Sequence, residues 1–364
     1  MKLPGIACAV ILAATAASAS LLTSVSAKSP HVRPYGDARV LATFPTPPGF
    51  PEGIAVKGNK VYVSGPARFG TAGTGPSTVV AFNRESGALE ATYTTQGEAL
   101  EFEHANSCIA FDGNGKLYVL NNQIGMYRID TGSGQQESYS TPFPDLPACD
   151  GNNAPCSPTF FDAPALPNDV AFDEDGNAYV TDSLQATIWR VAPGGGTPQI
   201  WFQDARLGTV PNGIGANGIR LSPDRSKAYV VVSIGPTGQG FIYTLPLVAA
   251  PQASDLAVFK AFAPTDLPDG IAFGKSGKLY VAIATPGLSG VVILDASGAE
   301  VGRLANAAPG DVSPYDSPAN IAFDGHGSLL VTNHAFATMI PSNFNVLDVY
   351  VGDKGSPLSK PDLP

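Results

Sequence analysis

The sequence has little charge and lacks a basic stripe. Charged residues make up 14% of the chain, and 31 acidic against 21 basic side chains give a net charge of -10, with no block of like charges. This pattern argues against nucleic acid and anionic membrane surfaces as partners. Cysteine is also scarce, and the four cysteines form no CxxC pair and no Cys/His spacing typical of zinc. Any metal should therefore be held by oxygen ligands.

The first 27 residues predict a secretory signal peptide. Lys2 precedes an apolar run that is too short, and too interrupted by Thr and Ser, for a membrane-spanning helix. Small-residue cleavage sites follow at Ala17-Ser18-Ala19 and Val25-Ser26-Ala27. We therefore expect a mature chain, residues 28–364, that is extracellular or periplasmic and has no membrane contact after cleavage.

Three cysteines are left in the mature chain. Cys149 and Cys156 bracket the short polar segment "DGNNAP", which an exported protein can close with a disulfide. Cys108 lies inside "NSCIAFD" and is expected to be a buried, small apolar residue.

Sustained helical periodicity is absent from the mature chain, which instead contains six copies of one unit. Each copy has a short apolar run, a turn and a second run with β-branched and aromatic residues, as in a β-hairpin. The copies begin "PEGIAV", "NSCIAF", "PNDVAF", "ANGIRL", "PDGIAF" and "PANIAF". They recur every 49 to 61 residues, a period that fits a four-stranded antiparallel propeller blade.

The sixth unit ends before its fourth strand, and "ARVLATF" near the mature N-terminus is an otherwise unassigned strand. The sequence therefore predicts an all-β, six-bladed β-propeller as a single domain over residues 28–364. We expect "ARVLATF" to complete the last blade and close the ring, which removes free sheet edges.

One position in each repeat precedes the innermost strand, so these six positions should surround the central axis. They are Glu52, Ser107, Asn168, Asn217, Asp269 and Ala319. Two carboxylates and two carboxamides facing one axis offer four oxygen ligands, which suits calcium better than magnesium. The alternative is that Asn168, Asn217 and Asp269 only form local turns.

The motifs "PEG", "PNDVAFDEDGNAYVTDS", "ANGIRLSPDRSKAYV" and "PDGIAFGKSGKLYVA" resemble, in order and spacing, those of the senescence marker protein, gluconolactonase and luciferin-regenerating enzyme family. The similarity spans roughly residues 39–352. It implies a divalent metal, usually calcium, held by Glu52, Asn168, Asn217 and Asp269. It also implies lactone or phosphotriester hydrolysis, with Asp269 as base or nucleophile. The first motif departs from the family, because "PEGIAV" stands where an "EGPVW"-like sequence is usual.

We expect a secreted hydrolase of a lactone or related ester, with a small-molecule substrate, a monomeric chain and Ca²⁺ as cofactor; Mg²⁺, Mn²⁺ and Zn²⁺ are the alternatives. Asp269 is the expected base or nucleophile, and His104 and His334 are alternative bases on the same face. Long segments, among them residues 66–76 and 141–167, should enclose the substrate there. Two other functions stay open: a binding propeller that calcium stabilises without catalysis, and a strictosidine-synthase-like enzyme.

Overall fold

The computed structural model describes residue 1 and residues 33–150, 154–159 and 161–364. The predicted signal peptide falls almost entirely on residues 2–32, outside the described part of the chain. The chain divides into two compact units, Met1–Arg33 and Pro34–Pro364, and every strand described below belongs to the second.

Six antiparallel sheets of four strands each form the blades of a six-bladed β-propeller. Blades 1 to 3 contain β2 (Ile54–Lys57), β3 (Lys60–Gly65), β4 (Thr78–Asn83) and β5 (Leu89–Thr94); β6 (Asn106–Phe111), β7 (Leu117–Asn121), β8 (Gly125–Ile129) and β9 (Gln136–Ser138); and β10 (Pro167–Phe172), β11 (Ala178–Asp182), β12 (Thr187–Val191) and β13 (Gln199–Gln203). Blades 4 to 6 contain β14 (Ala216–Leu221), β15 (Lys227–Val232), β16 (Phe241–Pro246) and β17 (Ala257–Ala261); β18 (Pro268–Phe273), β19 (Leu279–Ile283), β20 (Gly290–Leu294) and β21 (Glu300–Ala305); and β22 (Pro318–Phe323), β23 (Ser328–Asn333), β24 (Asn345–Tyr350) and β1 (Ala38–Thr43).

Strand β1 closes the ring, as the sequence predicts. It pairs antiparallel with β24, with Ala38 opposite Val349 and Thr43 opposite Asn345. Blade 6 is thereby built from both ends of the propeller sequence. Without β1, the edge of β24 would present unpaired backbone groups to solvent.

The first strand of each blade lies innermost, and successive inner strands contact one another around the axis. Turn chemistry sets the register of the hairpins. In "DEDG", the Asp173 carboxylate accepts the Asn177 N–H at 2.8 Å, and Gly176 takes a φ of 90° that favours glycine. These hairpins place the start of each inner strand at one mouth of the ring.

Apolar side chains pack between neighbouring blades, with one buried cluster at each of the six interfaces in the described part. The cluster between blades 2 and 3 also receives Leu363, because the segment after β24 runs back to these blades. The backbone carbonyl of Pro361 accepts the Gly113 N–H at 2.8 Å, and that of Leu363 accepts the Asn114 side-chain amide at 2.8 Å. The C-terminal residues thus join blade 6 to blades 2 and 3.

Helical structure in the described residues is limited to three short 3-10 turns: Ala205–Leu207, Ala253–Asp255 and Pro341–Asn343. Among these residues we find no helix with the length and hydropathy needed to cross a bilayer. Cys149 and Cys156 form a disulfide with an S–S distance of 2.02 Å, and Cys108 is free and buried. Both cysteine predictions are confirmed.

Candidate metal centre

Four polar ring residues line one cavity of about 980 Å³ at a mouth of the propeller. Glu52 stands just ahead of β2, and Asn168, Asn217 and Asp269 each occupy the second position of β10, β14 or β18. The structure therefore brings together all four residues that the repeat selected. Of the other two ring positions, Ser107 lines the same cavity, whereas Ala319 is buried and offers no ligand side chain.

The two amides present unpaired oxygens. Asn168 Oδ1 and Asn217 Oδ1 are both buried, and neither accepts a hydrogen bond in the described structure. Buried polar atoms without partners are rare, and each requires an explanation. A cation at the centre of the ring would supply the missing partner for both oxygens.

Ser233 fixes the orientation of the Asn217 amide. Its hydroxyl donates to the Pro268 carbonyl at 2.6 Å, so its oxygen has no second proton to give. The Asn217 group that lies 3.0 Å from this hydroxyl must therefore be the NH₂, and the amide oxygen is left for the ring. Because Pro268 directly precedes Asp269, Ser233 supports two of the four ring residues at once.

Both carboxyl groups of the ring have raised pKa values. Burial, followed by the charge of Asp169, raises the pKa of Glu52 to about 8. Burial also raises the pKa of Asp269 well above its usual value, and the charges of Glu52 and Asp169 raise it further. A divalent cation between these groups would favour their ionised forms.

The donor set fits a hard dication. Two carboxylates and two amide oxygens are the ligands that calcium takes in proteins, and they leave positions for water or substrate. Within the described residues, no group of three or more His, Cys, Asp or Glu side chains could hold a metal. The amides are therefore an essential part of the candidate site.

Close backbone packing around the axis holds the ring positions. A side chain at Gly218 would place its Cβ 2.5 Å from the Asp269 carbonyl oxygen, so only glycine allows this approach. Hydroxyl groups on second strands also bind the ring residues of the next blade. Thr181 donates to the Asn217 carbonyl at 2.5 Å, and Thr332 donates to the Glu52 carbonyl at 2.8 Å.

Asp169 and Arg220 form a buried ion pair beside the ring. The Asp169 carboxylate accepts the Val170 N–H at 2.8 Å, the Ile219 N–H at 3.0 Å and an Arg220 N–H at 2.5 Å. It thereby ties β10 to β14, the strands that carry Asn168 and Asn217. Asp169 lies outside the repeat position that predicts the ring residues. One feature of the sequence could have identified it: Asp169 is an acidic residue within the apolar run "NDVAF". The equivalent positions of the other repeats hold three glycines, Cys108 and Asn320.

His334 is at the cavity wall. Its Nε2 lies 2.6 Å from the Ala67 carbonyl oxygen and 3.8 Å from Glu52 Oε2. Burial lowers the pKa of His334 to about 4, so the ring is neutral near pH 7. Because Nε2 donates to Ala67, the lone pair is on Nδ1. Its lowered pKa makes His334 a weak proton acceptor near pH 7.

His104 lies elsewhere. Its side chain is fully buried and does not line the cavity. Nδ1 is 2.9 Å from the Phe102 carbonyl oxygen, and Nε2 is 2.9 Å from that of Gly75. Since both ring nitrogens face backbone carbonyls, the geometry does not support His104 as a base. The His104 ring points into the β3–β4 loop. The position of His104 in the sequence does not indicate this direction.

Long connections enclose the cavity, in agreement with the sequence analysis. They contribute residues 67–69, 164–166, 212–214, His334, Phe336 and Met339. The disulfide lies within the connection that supplies residues 164–166. The wall is largely apolar, as is usual for small-molecule sites.

Comparison with known proteins agrees with this architecture. Residues 86–335, more than half of the chain, match the family model described as "SMP-30/Gluconolactonase/LRE-like region". No curated protein sequence matches the chain.

Among solved structures, the chain is similar to a calcium-binding protein, regucalcin, from Agrobacterium tumefaciens, with a TM-score of 0.62, 18% identity and coverage of 90% of this chain and 98% of that one. A luciferin-regenerating enzyme matches with a TM-score of 0.54, 14% identity and coverage of 90% and 100%. Virginiamycin B lyase from Staphylococcus aureus matches with a TM-score of 0.54, 15% identity and coverage of 86% and 99%. At these identities the structural matches establish the fold alone.

Proposed function

The chain belongs to the SMP-30/gluconolactonase/LRE-like family, and on that premise we propose that it is a metal-dependent hydrolase of a lactone or related ester. The observation that carries the proposal is the pair of buried, unpaired oxygens, Asn168 Oδ1 and Asn217 Oδ1, in one cavity with two carboxyl groups of raised pKa. If these residues only formed local turns, there would be no reason for two unpaired amide oxygens and two carboxyl groups to line the same cavity.

Glu52, Asn168, Asn217 and Asp269 would hold the metal, and calcium fits their oxygen donors best. When bound, the dication supplies a Lewis acid that polarises the scissile carbonyl and stabilises negative charge on its oxygen. The regucalcin match, described as calcium-binding, supports this choice of metal.

Asp269 would act on the water or on the carbonyl itself. Its carboxylate lines the cavity and can accept a proton from water or attack the carbonyl carbon. His334 is neutral and lines the same cavity, and its lowered pKa makes it a weaker alternative as proton acceptor. The apolar wall would exclude bulk water and strengthen the electrostatic interactions inside.

We also propose that the protein is exported and acts as a monomer on a small-molecule substrate. The disulfide between Cys149 and Cys156 supports an oxidising compartment. The sequence of residues 1–27 supports cleavage of a signal peptide.

A screen of lactones, aryl esters and organophosphates, with calcium and with chelator, tests the function. We expect turnover of at least one lactone or ester that chelator abolishes and calcium restores. Asp269→Asn should keep the fold and lose turnover, whereas Asp175→Asn, on the exposed "DEDG" turn, should keep both. If calcium raises the melting temperature but no substrate is hydrolysed, the protein is a binding propeller and the hydrolase proposal fails.

A further inference from the structure

Arg68 in the cavity wall has no hydrogen-bond acceptor in the described part of the chain. Its Nε is buried and unpaired, the described structure gives its terminal nitrogens no hydrogen bond, and the residue lines the cavity. Every other arginine in the described ranges has a partner: Arg33, Arg39, Arg84, Arg128, Arg190, Arg206, Arg220, Arg225 and Arg303. Arg68 is thus a cation in the cavity wall that forms no ion pair with any described residue.

The guanidinium is held in place and is not a mobile surface group. It lies over the Phe50 ring, 4.6 Å from the centroid. Phe50 is itself fixed: its φ is 52°, and its ring packs at 4.6 Å on Phe344 and at 5.6 Å on His334. Stacking on an aromatic face orients an arginine without using its N–H donors.

Acidic groups in the same wall have other partners. Glu103 accepts the Gly70 N–H at 2.8 Å and the Thr71 N–H at 3.0 Å, and so it orders the loop that carries Arg68. Glu52 and Asp269 belong to the proposed metal centre. With a dication bound there, the charges of Glu52 and Asp269 cancel. Glu103 keeps its charge, but in the described part of the chain no salt bridge joins it to Arg68, and its carboxylate is directed to the Gly70 and Thr71 N–H groups.

Exposed aromatic rings form part of the same cavity wall. Phe69, Phe102 and Phe336 line the cavity and are 64%, 65% and 42% exposed. Among the described residues, no lysine and no second arginine line the cavity. One guanidinium among aromatic rings suits a single negative charge, such as a carboxylate, better than a phosphate dianion.

We propose that Arg68 is a specificity-determining residue that binds a carboxylate on the substrate, and that the substrate is a carboxylate-bearing lactone or ester with an apolar body. The carboxylate would accept hydrogen bonds from the two terminal nitrogens of Arg68, and the apolar body would contact the exposed aromatic rings. This inference rests on the proposed hydrolase function and narrows its substrate class.

Binding of a matched pair of probes tests the inference without requiring turnover. 3-Phenylpropanoate and 3-phenylpropanamide share an apolar body and differ in charge, and their affinities for the calcium-loaded protein can be measured by calorimetry. We expect the acid to bind more tightly than the amide by roughly tenfold to a hundredfold, the range for hydrogen bonds to a charged group.

Arg68→Met should abolish this preference, because it lowers the affinity for the acid more than the affinity for the amide. Arg68→Lys should keep only part of it, because lysine lacks the planar fork. Arg39→Met removes an exposed cation elsewhere on the propeller and should preserve the wild-type preference. Equal binding of acid and amide by the wild type would overturn the inference. So would an acid preference that survives in Arg68→Met, which would mean that the metal holds the acid.

The same variants separate this inference from the hydrolase proposal. If acid binding depends on Arg68 but no lactone is hydrolysed, the anion site stands and the hydrolase proposal fails. If a neutral lactone is hydrolysed and Arg68→Met does not change the ratio of kcat/KM between acid-bearing and neutral lactones, hydrolysis stands and the Arg68 site is refuted.

Discussion

Replacement of Ser233 by alanine should weaken metal binding although Ser233 itself is not a ligand. The Ser233 hydroxyl accepts from the Asn217 amide at 3.0 Å and donates to the Pro268 carbonyl at 2.6 Å. Without it, the Asn217 amide can rotate, and the residue before Asp269 loses its hydrogen bond. Two of the four proposed ligands thus lose the contact that orients them.

The size of the effect follows from these two contacts. Loss of the groups that orient ligands usually lowers metal affinity by about 10- to 100-fold, or about 1.4 to 2.7 kcal/mol. Ser233 is 5% exposed, so its two former partners also lack water. The metal-free protein should therefore lose about 1 to 3 kcal/mol of stability. Calcium titration by calorimetry measures the first quantity, and denaturant unfolding in chelator measures the second.

Ser140→Ala is the matched control. Ser140 is equally buried and makes two hydrogen bonds, from the Met126 N–H at 2.9 Å and to the Thr141 carbonyl at 2.7 Å, outside the ring. It should lose similar stability and keep its calcium affinity. If Ser233→Ala binds calcium as tightly as Ser140→Ala does, then Ser233 does not orient the ring residues and our reading of the centre is wrong.

Three other predictions follow from the same structure. Calcium affinity should fall as the pH drops below about 8, because protonated Glu52 must lose its proton to bind, and an affinity independent of pH would contradict this. Leu363→Ala should destabilise the fold by about 2 kcal/mol or more in denaturant unfolding, since it empties a site between blades 2 and 3; an unchanged midpoint would show that the C-terminal segment does not hold the ring. Replacing Cys149 and Cys156 together by alanine should cost about 2 to 3 kcal/mol, as expected for a cross-link that spans 7 positions, and equal stability of oxidised wild type and variant would refute it.

Much of the fold could be predicted because its unit repeats. Hairpins in six copies fix strand number and blade size, and the missing fourth strand of the last copy points to "ARVLATF" as β1. The path of the chain after Tyr350 could not be predicted. Leu363 and Pro361 have no counterpart in the repeat, and their docking on blades 2 and 3 depends on tertiary contacts alone.

The candidate site, like the fold, could be predicted from the sequence only in part. The four ring residues share one position in the repeat, so the sequence selects them together and the fold places them around one cavity. Arg68 and His104 lie on loops outside the repeat. The direction of the His104 ring and the absence of an acceptor for Arg68 arise from how the β3–β4 loop folds over the mouth. Spacing in the sequence carries no information on either.

The most direct test of the metal centre is a crystal structure of the protein grown with calcium. We expect one strong peak on the propeller axis at roughly 2.3–2.6 Å from a carboxylate oxygen of Glu52, a carboxylate oxygen of Asp269, Asn168 Oδ1 and Asn217 Oδ1. Density with no ion at the ring at saturating calcium, or with the two amide oxygens turned to protein donors, would contradict it.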